Sequence, residues 1–82
     1  MGLPTQAMTL EVISVTTTYL QKNSISVINQ SADDLTITDL TNSGNISLKE
    51  NQSVTLTSST GFVLPTLMLD SVGSIRASVI TT

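Results

Sequence analysis

The chain has 82 residues and neither Cys nor His. It is therefore one domain, without disulfides and without the usual zinc ligands. Its net charge is −3 and its only cations are Lys22, Lys49 and Arg76, too few to neutralise a run of phosphates, which excludes nucleic acid as a partner.

In chain order, residues 1–6 read as an arm, because Gly2 and Pro4 stop regular structure from starting there. A long first strand is expected over about 7–20. Met8, Leu10 and Val12 share one parity, and Ile13, Val15, Thr17 and Tyr19 take the other. A bulge near Val12–Ile13 would keep both sets on one face. The β-branched residues and the run Thr16–Thr18 argue against a helix. SISVIN at 24–29 is the second strand and residues 34–40 the third. Ser31–Asp34 has the form of a helix capping box, but the following LTIT has strand period, so no helix is expected. TNSGN at 41–45 is a turn, with Gly44 free to take positive φ.

ISLKENQSVTL at 46–56 reads as a hairpin with KENQ as its loop. Ile46, Leu48, Val54 and Leu56 point one way, and Asn51 sits where a left-handed residue is needed. TSSTG turns at 57–61. FVLPTLML at 62–69 is an edge strand or is broken at Pro65, which has no N–H to donate. DSVG turns again, and SIRASVI at 74–80 is the last strand. Arg76, the only Arg, reads as a solvent-facing residue between inward Ile75 and Ala77 by alternation, with an interface anchor as the alternative. The expected architecture is all-β: a small antiparallel sandwich or open barrel of about seven short strands. Residues 7–82 form the single domain, with sheets open to sharing between subunits.

The 12 Ser and 14 Thr alternate with Leu, Ile and Val, giving strands one apolar and one hydroxyl face. Charged residues are 11% of the chain, against about 25% in an average domain. Disordered chains pair high charge with low hydrophobicity, so this composition argues for order. No apolar run reaches the length of a membrane-spanning helix, and residues 1–10 lack the features of a secretory signal. Synthesis in a cytoplasm without the usual export route is the expectation.

Candidate chemistry is sparse. Asp33, Asp34, Asp39 and Glu50 are the one group that could take a hard cation, but their spacing fits no EF-hand loop. They read as solvated loop carboxylates. The many hydroxyls lack a His to activate them, and Lys22 or Lys49 alone makes no catalytic constellation, so no enzyme activity and no cofactor are expected. Asn29, Asn45 and Asn51 each begin an N-x-S sequon; with about a third of positions Ser or Thr, one or two arise by chance, so three carry no signal. Tyr19 and Phe62 are the only aromatics, which leaves a monomeric core thin.

Residues 25–61, ISVINQSADDLTITDLTNSGNISLKENQSVTLTSSTG, resemble a segment of small β-rich bacteriophage virion structural proteins. The shared pattern is an Asn-containing start, a strand like LTIT, an "isL–loop–QSVTL" unit and a turn ending in Gly. That family usually has Gly where this chain has Asn51, and an aromatic after the final Gly, here Phe62. The resemblance implies a capsid-decoration, head-fibre or small tail protein, located in the virion and trimeric. Its partners would be copies of itself and other virion proteins, with residues 1–9 reaching a neighbouring subunit. Small domains without disulfides or metals commonly rely on oligomerisation. Leu3, Met8, Leu67, Met68, Leu69, Val79 and Ile80 are the expected interface, being apolar residues near the termini and the Pro65 segment. The alternative is a bacterial surface or carbohydrate-binding β module.

Overall fold

A computed structural model describes residues 2–4 and 7–82. Met1, Thr5 and Gln6 of the expected arm lie outside the described residues, while Gly2, Leu3 and Pro4 are exposed and belong to no strand. The described residues form eight strands and no helix: β1 (Thr9–Ile13), β2 (Thr17–Tyr19), β3 (Ser24–Asn29), β4 (Leu35–Asp39), β5 (Asn45–Leu48), β6 (Ser53–Thr57), β7 (Leu67–Ser71) and β8 (Ala77–Thr81).

They make two four-stranded sheets. Sheet I has the order β1-β8-β3-β6, and sheet II the order β2-β7-β4-β5. Every pairing is antiparallel. The first strand pairs with the last, the second with the seventh, the third with the sixth and the fourth with the fifth. The chain is thus one long hairpin with its tip between β4 and β5. Rolling brings β3 against β8 and β4 against β7 and closes the layers. This is the strand order of a jelly roll. The shortest molecular dimension, 18 Å, is that of two sheets stacked about 10 Å apart with their side chains.

The core follows from alternation. Ile25 and Val27 of β3, Leu35 and Ile37 of β4, Leu67 and Leu69 of β7, and Ala77 and Val79 of β8 are all buried between the sheets. Ile13, Tyr19, Leu48 and Ile75 complete it, with Val54, Leu56 and Leu64 packed at its margin.

Four expectations change. First, residues 7–20 are two strands, not one bulged strand. The parity switch after Val12 marks the crossing from sheet I to sheet II through Ser14–Thr16. Ile13 faces the interior, but Leu10 and Val12 face out. Second, β5 and β6 do not form a hairpin. β5 pairs with β4 and β6 with β3, so KENQ crosses between sheets. Leu48, Val54 and Leu56 still point inward, because facing sheets share one interior. Asn51 is left-handed as expected, with φ 66°. Third, the chain is broken at Pro65, as one of the two readings had it, but residues 62–66 before the break are not strand and β7 starts at Leu67. It lies between β2 and β4, not at an edge. Fourth, in the turn after β4, the residue with positive φ is Ser43 (67°) and not Gly44. Arg76 is exposed between buried Ile75 and Ala77, as alternation requires.

Candidate interaction surfaces

The seven residues expected at an interface separate into two groups. Leu67, Leu69 and Val79 are covered by the chain's own core, at 5%, 0% and 1% exposure. Their strands are central in each sheet, which the sequence order of strands did not reveal. Leu3, Met8 and Ile80 remain exposed, and Met68 lies half-buried on the outer face of sheet II. Other large apolar side chains are exposed too, among them Leu10, Val12, Leu20, Leu40, Phe62 and Val72.

The outer face of sheet I concentrates them. Leu10 pairs with Ile80, Ile80 with Ser26, and Ser26 with Thr55. One row along, Val12 pairs with Ser78, Ser78 with Ile28, and Ile28 with Ser53. Leu10 and Val12 are 67% and 63% exposed, and Ile28 and Ile80 are about 40% exposed. Among the described residues, no strand position of this face carries a charge; Arg76, one residue before β8 and of the same outward parity as Ser78, flanks its end. Its hydroxyls are largely bonded to each other or to a neighbour. Ser26 Oγ and Thr55 Oγ1 are 3.0 Å apart, Ser24 Oγ and Thr82 Oγ1 2.7 Å, and Ser78 Oγ donates to Gln30 Oε1 at 2.9 Å. Pairing leaves fewer groups that depend on water.

Sheet II differs. Its outer face carries Thr36, Thr38, Ser47 and Asp70 in neighbouring registers. Asp70 Oδ1 accepts from Thr16 Oγ1 at 2.6 Å and from the Ser71 N–H at 2.8 Å. The Thr16 hydroxyl first, then that amide, hold the Asp70 carboxyl below its ordinary 3.8. Asp33 and Asp34 border the same shallow, hydroxyl-lined bowl. Asp39 is occupied elsewhere: it accepts from the Thr41 and Asn42 amides and from Asn42 Nδ2. Among the described residues, the acidic side chains gather into no metal-holding cluster.

The charged edge residue Glu11 is turned to structure. Tyr19 Oη donates to Glu11 Oε1 at 2.5 Å, tying β2 to β1 across the sandwich margin. Burial, then this carboxylate, raises the Tyr19 phenol well above its ordinary range. Edge strands are usually guarded by charge, Pro or a bulge. Here β2, β5 and β6 carry no charge and β1 carries only Glu11.

At one end of the sandwich, the 58–66 segment bridges two turns. The Leu64 N–H donates to Lys22 O, and the Leu40 N–H to Thr66 O. Beneath it, Ile37, Ile46, Leu56, Leu64 and Leu67 line an apolar cleft of about 430 Å³. On the other side Phe62, 73% exposed, borders a shallow hollow with Asn23, Ser24, Ser59 and Thr82.

The sequence reading missed Asn29, noticed only as a sequon. It is fully buried. Its Nδ2 donates to Asp33 O and Leu48 O, and its Oδ1 accepts from the Ser31 N–H. The signal available was a polar residue at an inward parity position, two after Val27. The outward parity of Leu10 and Val12 was also missed, because a bulge explains a parity switch as well as a change of sheet does. Comparison with protein-family models, curated proteins and solved structures finds no match for this chain.

Proposed function

We propose that this protein is a structural component of a bacteriophage virion, of the capsid-decoration, head-fibre or small tail type. It acts by packing against copies of itself and other virion proteins, without catalysis or a cofactor. The observation that carries this reading is the outer face of sheet I, whose strand positions carry no charge and present four exposed aliphatic side chains in adjacent registers. Contiguous apolar surface of this kind marks protein contact sites. The resemblance over residues 25–61 supplies the virion context and the trimeric assembly. Jelly rolls recur in viral capsid domains, though also in lectins, so topology supports the reading without selecting it. Mass spectrometry of purified virions tests it: the protein is expected at stoichiometric copy number, and its absence would overturn the proposal.

One observation favours a carbohydrate-binding module instead. Exposed Phe62 stands beside the hydroxyl-lined hollow, an arrangement suited to stacking a sugar ring. Saturable glycan binding lost in Phe62→Ala, with the protein absent from virions, would favour this second reading.

A further inference from the structure

We infer that the outer face of sheet I, centred on Leu10, Val12, Ile28 and Ile80, is where a second copy of this chain docks. The inference rests on the packing role proposed above and names its contact surface. Each copy carries a net charge of −3, so random contact between copies tends to oppose like charges. The strand positions of the outer face of sheet I carry no charge among the described residues, its flanking charge being the cation Arg76 just before β8, whereas the corresponding face of sheet II presents Asp70. A partner rich in charge finds no charge to pair with at the strand positions of this face, with Arg76 only at its end, while an identical face matches it in polarity. The paired hydroxyls Ser26–Thr55 and Ser24–Thr82 lower the cost of excluding water between two such faces.

The size of the face sets the strength of the contact. Four strands of about five residues cover roughly 300 Å² of flat sheet, below the ~800 Å² per partner of a standard stable interface. Exposed Met8, just ahead of β1 and of the same parity as Leu10, extends the apolar surface beyond its edge. Assembly is therefore expected to depend on concentration in the micromolar range.

Sedimentation equilibrium from low to high micromolar concentration tests the inference. The wild type is expected to rise above the 8.6 kDa monomer mass as concentration increases. The double variant Leu10→Lys/Val12→Lys is expected to weaken association at least ~10-fold. Its far-ultraviolet dichroism and dilute-solution melt should be unchanged, since both side chains are already exposed. Ile80→Thr, a milder change on the same face, should weaken association in the same direction. Val72→Lys, at a 98% exposed position away from the face, should assemble as the wild type does. If both face variants associate normally, the face assignment is overturned while self-packing stands. A wild type that stays at monomer mass overturns the inference; if it is nonetheless found in virions, a shell protein is the partner and the virion role survives.

Discussion

At the residue scale, the buried polar groups are the most consequential. Asn29 spends both amide protons on the carbonyls of Asp33 and Leu48. Its own backbone exchanges bonds with Gln52 O and the Asn51 N–H. One residue, through side chain and backbone together, thus secures the 30–34 crossing and the 49–52 crossing. Asn29→Leu would leave two carbonyls and one amide without partners in the interior, each costing about 1–3 kcal/mol. The expected loss is at least ~3 kcal/mol, read from chemical denaturation; a loss under about 1 kcal/mol would show that water replaces the amide. Ser31 acts similarly: its Oγ accepts from the Arg76 N–H at 2.7 Å and donates to Arg76 O at 3.1 Å, extending the β3–β8 pairing past the end of the strands. Carboxylates set the acid limit. Asp39, through Asn42 first, and Asp70, through Thr16 first, are both held below the ordinary 3.8. A folded-state pKa below the unfolded one stabilises the fold above the unfolded value, and that contribution disappears as pH falls through the folded value. Stability should therefore decline below about pH 4. In Asp39→Asn/Asp70→Asn the decline should be shallower, and equal melting curves against pH for variant and wild type would contradict it.

At the element scale, the KENQ connection decides the partners of β5 and β6. A true hairpin would have paired them in one sheet; the crossing instead sends them to opposite layers. Two features turn the chain: left-handed Asn51 at φ 66°, and Gln52 Oε1 accepting from the Lys49 N–H at 2.9 Å. Asn51→Gly should be neutral or slightly stabilising, while Asn51→Val should cost about 1 kcal/mol or more, because a β-branched side chain collides with the backbone in that conformation. Thermal melts of the pair would rank them; equal midpoints would contradict the strain. Inward and outward positions of the same unit should also differ. Leu48→Ala should cost on the order of 2–5 kcal/mol. Leu56→Ala should cost less because Leu56 is only half-buried. Thr55→Ala should cost under about 1 kcal/mol in the monomer. A large loss for Thr55→Ala confined to concentrated samples would place the hydroxyl face in the assembly contact.

At the scale of the whole molecule, a thin core and an apolar exterior belong together. Among the described residues, twelve apolar side chains are buried, only one of them aromatic, and no disulfide is available. Association that stabilises the folded chain should raise its melting temperature with concentration by mass action. Scanning calorimetry over a hundredfold range would reveal a midpoint independent of concentration if the copies do not assemble. What the sequence by itself determined was the class of structure. The two-residue alternation in SISVIN, LTIT and SVTLT dictates strands with one buried face, and it located β3 to the residue and β4 within one. The turn residues, Asn51 above all, were legible because their conformation is a local property. Only the tertiary structure decided which strands pair, and hence which apolar residues are inside. Alternation says that Leu10 and Ile13 face opposite ways, but not which of them meets the core. The parity switch at Val12–Ile13 is satisfied equally by a bulge or by a change of sheet. Leu67, Leu69 and Val79 are covered because they point between the sheets from central strands β7 and β8, an arrangement set by pairing between residues far apart in the chain, such as Thr9 with Thr81. Such pairing depends on the packing of the two sheets together, which no local pattern encodes.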